Sequence, residues 1–188
     1  MISRAIGRLF VAAVATFMSL SANAQTVTRI DVIEHGIYTA EITSTEKMPN
    51  GIERNNLRNI CHVATTTKIP ARMGVMFGFR FQVEGTPEGA GAMLMRITRY
   101  PTAVQPIASR PPVTYYAHEI VVGIGTVSYI GYGFDYEWEL IPGRWVLELW
   151  QGRNQLAAQE FMVEPSDGPP LPRSNNNNDS NCFRYSSL

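Results

Sequence analysis

One stretch of twelve residues, from Tyr129 to Leu140, constrains the fold of this chain more than any other, because its side chains alternate between two classes without interruption. The large apolar residues on one parity are Ile130, Tyr132, Phe134, Tyr136, Trp138 and Leu140. The small or acidic residues on the other parity are Gly131, Gly133, Asp135, Glu137 and Glu139. Successive side chains of a strand point to opposite faces, so this alternation predicts a single half-buried strand with an acidic outer face.

The residues that follow predict a β-meander around this strand. Ile141-Pro142-Gly143 has the composition of a turn, and 145–149 and 156–163 again have strand patterns. All three tryptophans of the chain lie in this meander. We therefore expect the centre of the core here, formed by Trp138, Trp145, Phe79, Phe81, Phe134 and Leu147.

Earlier segments add further strands and no amphipathic helix. Residues 75–84 predict a strand with Phe77, Phe79 and Phe81 inward, and 92–100 predict one with Met93, Met95 and Ile97 inward. The polar segment 44–59 predicts a loop. About eight strands separated by turns are typical of an all-β protein, and we predict an immunoglobulin-like antiparallel β-sandwich. A closed β-barrel is the alternative, since both architectures have the same local pattern.

The N-terminal residues have the pattern of a Sec-type signal peptide. Arg4 and Arg8 precede an apolar run, and Ala22-Asn23-Ala24 is a small-x-small cleavage motif. We expect cleavage after Ala24, a periplasmic or secreted protein, and no stable membrane insertion after cleavage. Residues 25–163 would form one domain, and the Pro/Asn-rich residues 164–188 a flexible tail held at Cys182. Without the signal peptide, 14 basic and 16 acidic residues give a net charge of −2, which does not favour nucleic-acid binding.

Several spaced blocks resemble one bacterial family. These blocks are 35–38, 69–71, 74–81, 128–132, 138–145 and 151–163, and they include Gly74-Val75-Met76-Phe77-Gly78-Phe79 and Trp138-Glu139-Leu140-Ile141-Pro142-Gly143. Together they resemble the domain-of-unknown-function 3859 family of small exported or periplasmic proteins. The resemblance covers roughly residues 28–163. It implies a compact β domain and carries no catalytic residues over to this chain.

Two sets of side chains suggest chemistry. Asp135, Glu137 and Glu139 on one strand face could flank a glycosidic bond or bind calcium, but a solvated outer face explains them better. His35, His62 and His118 are scattered and lack the spacing of a zinc site. We therefore expect neither a metal nor another cofactor.

Two further features concern the chain outside this strand. Cys61 and Cys182 are the only cysteines, and an exported chain favours their pairing in one disulfide. Tyr115, Tyr116 and Trp150 are the aromatic residues least well explained by the predicted core. Tyr115, Trp150 and Arg153 could form a sugar- or peptide-binding surface, with Trp150 outward beside Arg153. Coverage of Trp150 by the tail or by the loop 101–113 is the alternative, which we favour because isolated exposed aromatic residues are common.

These features favour a non-catalytic module of the cell envelope that binds or scaffolds an envelope protein or glycan. The first alternative is a hydrolase that acts on envelope polysaccharide through the acidic series. The second is a chaperone- or inhibitor-like module that captures a peptide by strand addition.

Overall fold

The computed structural model describes residues 25–47 and 53–170, together with the backbone of 182–183. The predicted signal peptide, 1–24, lies outside the described residues. A short 3₁₀ helix, Glu137–Glu139, is the one helical element in the described part of the chain. The strands are β1 (Thr26–Lys47), β2 (Glu53–Ala64), β3 (Lys68–Ala71), β4 (Met76–Thr86), β5 (Gly91–Val104), β6 (Val113–Gly123), β7 (Val127–Gly133), β8 (Gly143–Gln151), β9 (Asn154–Pro165) and β10 (Cys182–Phe183).

The strands form two five-stranded sheets that pack face to face. Sheet A has the order β10-β2-β1-β4-β7, and sheet B has the order β3-β9-β8-β5-β6. Every ladder is antiparallel except β3 with β9, which is parallel. No ladder joins sheet A to sheet B among the described strands, so the immunoglobulin-like sandwich is confirmed and the barrel alternative is wrong. No helix in the described part of the chain is long and apolar enough to cross a bilayer.

The core lies between the two sheets and is rich in aromatic rings. Phe77 sits at its centre, with the rings of Phe161, Phe134 and Trp145 at centroid distances of 5.0, 5.4 and 6.0 Å. The predicted core residues Phe79, Phe81, Phe134, Trp145 and Leu147 are all inaccessible to solvent. Trp138 is the exception: it packs against the rim of the core and stacks on the exposed ring of Tyr136.

Strand β7 is shorter than the alternating pattern predicts, which corrects the predicted acidic face. The strand ends at Gly133, and Asp135, Glu137 and Glu139 lie in the connection to β8. Glu139 turns inward, where it accepts hydrogen bonds from the backbone N–H groups of Asp135 and Tyr136. These bonds hold the chain in a tight turn, so the three carboxylates do not share one strand face.

In strand β5 the side chains that face the core are the opposite set from the predicted one. Ala92 and Leu94 are buried in the core, whereas Met93 is 58% exposed. The even-numbered parity therefore faces sheet A, and Arg96 lies on this inner side of sheet B. The prediction was wrong because Met93, Met95 and Ile97 form the more apolar set, although they line the outer face.

Within the predicted loop at 44–59, the described residues 44–47 and 53–59 instead belong to the end of a long antiparallel pair. β4 pairs with β1 only as far as Tyr38, but β1 and β2 remain paired from there to Lys47 and Glu53. We call residues 39–47 and 53–59 the arm. The base of the arm packs on a second apolar cluster formed by Tyr38, Ala40 and Ile60, with Tyr129 of β7 against it.

Candidate ligand-binding cleft

A cleft of about 1170 Å³ lies between the arm and sheet B, along the free edge of β7. The arm forms one wall, and the inner side of β5 and β6 forms the other. The turn that contains Asp135 and Glu139 closes one end. The side chains that matter most for the chemistry of the cleft are Arg54, Arg96, Tyr116, His118, Tyr129 and Tyr132.

Arg96 is the central charge of the cleft. Its Nη2 donates a hydrogen bond to the backbone oxygen of Gly131 on the free edge of β7. Its Nε is enclosed and has no partner, and no described carboxylate forms an ion pair with it. Burial lowers the pKa of Arg96. A partly buried guanidinium without a counter-ion is costly, so the binding of an anion at Arg96 would be favourable.

The tyrosines around Arg96 do not supply that anion. Burial raises the pKa of Tyr100 to about 12, and burial also raises the pKa of Tyr129 and of Tyr132. All three phenols are therefore neutral at pH 7. They offer Arg96 dipoles and ring surface but no negative charge.

His118 is paired across the ladder with Arg96 and lies beside it in the cleft. Its ring stacks on Tyr116 at 5.2 Å, and its Nδ1 is enclosed without a hydrogen-bond partner. Burial, and then the charges of Arg96 and Arg54, lower the pKa of His118 to about 4. The influence of both arginines on one imidazole indicates a positive potential at this point.

Two further polar groups of the cleft lack partners. The hydroxyl of Tyr129 and the Nε of Arg54 are enclosed and make no hydrogen bond, although Nη2 of Arg54 pairs with Glu46 at 2.9 Å. Buried polar groups are normally satisfied, so several unpartnered groups around one cleft need an explanation. A polar ligand or ordered water bound in the cleft would give these groups their hydrogen-bond partners.

Three of the four carboxylates that line the cleft are engaged in holding its walls, and the fourth, Glu119, is exposed on β6. Glu139 accepts a hydrogen bond from the Tyr132 hydroxyl at 2.7 Å, and burial raises the pKa of Glu139. Asp135 accepts one from the side-chain amide of Asn55 at 2.7 Å, which links the arm to the β7–β8 connection. Glu53, also on the arm, accepts one from the hydroxyl of Tyr136. These acids therefore have structural partners.

The predicted surface residues Tyr115 and Trp150 share the outer face of sheet B, whereas Arg153 lies in the β8–β9 turn. Between the two aromatic residues, Arg99 forms a two-pronged ion pair with the buried Glu148 at 2.6 and 3.1 Å. The indole N–H of Trp150 donates to the same carboxylate at 2.8 Å, and Arg99 lies 5.7 Å from the ring centre of Tyr115. This network is internally satisfied, unlike the cleft.

The remaining predicted site residues lie in sheet A or apart from one another. Cys182 of β10 is the cross-strand partner of Cys61 of β2. His35 and His62 are neighbours in sheet A, where a ring nitrogen of His62 lies 3.3 Å from the backbone oxygen of His35, while His118 is in sheet B. Within the described residues, no group of three or more His, Cys, Asp or Glu side chains could hold a metal ion.

Sequence reasoning missed Arg96, Arg54 and Tyr129 as members of one site. The sequence did contain a signal for Arg96. Leu94, Thr98 and Tyr100 could all face a core, and Arg96 is the one charged residue in this even-numbered series. The proximity of Arg54 had no such signal, because it depends on where the arm lies relative to β5, β6 and the β7–β8 connection, which are distant from it in sequence.

Comparison with known proteins agrees with the fold. Residues 26–163 match the family described as Domain of unknown function (DUF3859). An immunoglobulin-like protein from Pseudomonas aeruginosa superposes with a TM-score of 0.51 at 25% identity, covering 72% of this chain and 95% of that one. A β-glucosidase from Listeria innocua, solved with glucose, covers 73% of this chain and 17% of its own at 8% identity and a TM-score of 0.29, which is too low to support an argument. No curated protein matches the chain.

Proposed function

The chain belongs to the DUF3859 family of domains of unknown function, and from this premise we propose that it is a non-catalytic binding module of the cell envelope. Its ligand would bind in the cleft between the arm and sheet B. The observation that carries this proposal is the set of unpartnered polar groups around the cleft: Arg96, His118, Tyr129 and Arg54. The signal-peptide pattern at 1–24 supports an exported location, and an intact mass that begins at Gln25 would test cleavage.

Binding without catalysis fits the state of the carboxylates. A glycosidase of the usual kind needs two carboxyl groups that are free to act on the two sides of the scissile bond. Glu139 and Asp135 line the cleft, but both accept hydrogen bonds that hold the loop and the arm. Glu137 is exposed and is not among the residues of the cleft.

Two adjacent tyrosines allow a matched test of where the ligand binds. Tyr116 faces the cleft, whereas Tyr115 is 50% exposed on the outer face of the same strand. Envelope sugars, amino sugars and short peptides would be screened against the purified mature protein by ligand-observed NMR. We expect Tyr116→Ala to abolish the binding of the hits and Tyr115→Ala to preserve it.

The same screen separates the alternatives. Loss of binding in Tyr115→Ala alone would move the site to the outer face of sheet B. Cleavage of a glycan fragment during the measurement, abolished by Glu139→Gln, would show a hydrolase and contradict the non-catalytic proposal.

A further inference from the structure

The cleft also indicates the chemical class of its ligand, an inference that rests on the proposed binding function. We propose that the cleft binds an acidic small molecule, with a carboxylate at Arg96 and a ring or apolar body against Tyr116 and Tyr132. Arg96 is the residue that indicates this class, because it is a partly buried charge of the cleft without a described counter-ion.

The geometry of Arg96 leaves part of its donor set available. A guanidinium carries five N–H donors in a planar fork that matches a carboxylate. In Arg96, Nη2 is used by the Gly131 oxygen, whereas Nε and Nη1 make no hydrogen bond within the described residues. The bond to Gly131 fixes the plane of the fork against the edge of β7. Because Nε is enclosed, the donor group left for a ligand is Nη1, which is pre-oriented at little entropic cost.

The other charges near the cleft favour an anion over a cation. Glu46 and Glu41 neutralise the arm residues Arg54 and Arg58 at 2.9 and 2.6 Å, so the arm arginines have local partners. Asp135 and Glu139 are held by their own donors at the end of the cleft. Lys47 and Glu119 also line the cleft without a described ion pair, but both are exposed to solvent. Arg96 is thus the charge away from solvent that remains to be compensated, and a carboxylate bound there would form a charge-assisted pair.

The walls around Arg96 suit a ring more than a long flexible chain. Tyr116 and His118 form a stacked pair on one side, with an interplanar angle of 28°. Tyr132 and Trp138 line the same cleft toward its closed end. Tyrosine rings offer apolar faces with polar tips, which is the combination that contacts sugar rings and aromatic rings.

Matched pairs of acid and neutral probe test this proposal. Benzoate is compared with benzamide, and glucuronate with glucose, by NMR titration at pH 7. We expect at least one acid to bind about tenfold or more tightly than its neutral counterpart, because a hydrogen-bonded charge pair replaces a neutral contact. The first pair represents an aromatic acid and the second an acidic sugar, so the pair that shows the preference distinguishes the two.

Variants of Arg96 assign that preference to one side chain. Arg96→Gln should remove the difference between acid and neutral probe, and Arg96→Lys should retain a weaker preference because the charge remains without the fork. Arg153→Gln removes an exposed charge outside the cleft and should change nothing. Unfolding midpoints show whether each variant is folded, and the wild-type comparison stands even if Arg96→Gln does not fold.

The outcomes distinguish this inference from the function on which it rests. Equal binding of acid and neutral probe, or an acid preference that survives Arg96→Gln in a folded protein, would overturn the acidic ligand. A neutral compound from the envelope screen could bind the wild type and not Tyr116→Ala, while neither acid binds. That result would support the binding module and contradict the acidic ligand class. If no hit depends on Tyr116, the proposed function itself fails.

Discussion

Glu137 and Glu139 are two positions apart in the sequence, yet they have opposite environments. Glu137 is exposed, whereas Glu139 is buried and accepts hydrogen bonds from the Tyr132 hydroxyl and from two backbone N–H groups. The alternating pattern treated both as outward residues of one strand. The difference arises because a buried carboxylate can satisfy several donors of a turn at once, which alternation alone does not reveal.

A pair of alanine variants tests this assignment. Glu139→Ala should lower the free energy of unfolding by about 2–3 kcal/mol, because three donors lose their buried acceptor. Glu137→Ala should change it by less than about 0.5 kcal/mol, since its side chain is solvated. Urea denaturation at pH 7 measures both. Equal effects of the two substitutions would contradict the role of Glu139 in holding the β7–β8 connection.

The strands themselves divide into those that the sequence predicts well and those that it does not. In β4, Phe77, Phe79 and Phe81 face the core as predicted. The side chains between them include the polar Arg80 and Gln82, so the sequence indicates clearly which side of the strand is buried. In β5 the odd-numbered and the even-numbered side chains are both largely apolar. Which set is buried depends on the side of the strand on which sheet A lies. A local pattern cannot supply that information. The buried side of β5 was therefore predicted wrongly, and the position of Arg96 in the cleft was missed.

Strand β10 has a particular consequence for the two cysteines. Cys182 lies directly opposite Cys61 in an antiparallel ladder. Directly opposed residues in such ladders have Cα atoms about 4.5–5.5 Å apart, within the range that a disulfide spans. The register therefore supports the predicted Cys61–Cys182 disulfide, which stays a prediction.

Thiol chemistry and proteolysis check the pairing. We expect the protein purified without reductant to show no free thiols under denaturing, non-reducing conditions. Reduction should expose the C-terminal segment to protease. The sandwich itself should resist digestion, because the described part of β10 that pairs with β2 is two residues long. Cys182→Ser should reproduce the digestion pattern of the reduced protein. Two reactive thiols in the oxidised protein would disprove the disulfide.

At the scale of the whole molecule, the sandwich was predictable and the cleft was not. Alternation, turns and the aromatic positions are local, and they were enough to predict two packed sheets around Phe79, Trp145 and Leu147. The cleft brings together residues from the arm, β5, β6 and β7, which are distant in sequence. Its existence depends on the length of the arm, and residues 44–47 and 53–59 of the arm lie in the segment that was predicted to be a loop.

The cleft also links the stability of the molecule to pH through His118. Its pKa falls from an ordinary 6.5 to about 4 in the folded protein, first because of burial and then because of Arg96 and Arg54. Between these two values the unfolded chain binds a proton that the folded protein does not. This contribution to stability is therefore fully present above about pH 6.5 and is lost as the pH falls toward 4.

Comparing wild type with His118→Gln isolates this effect. Glu139, whose raised pKa gives a contribution of opposite sign, is present in both proteins, so its effect cancels in the difference. We expect the wild type to lose more free energy of unfolding than the variant between pH 7 and pH 4.5, as measured by urea denaturation. Between pH 7 and pH 8.5 the two should change in parallel, because His118 is neutral in both the folded and the unfolded state there. Parallel profiles down to pH 4.5 would show that His118 is not the enclosed, neutral group beside Arg96 that the cleft requires.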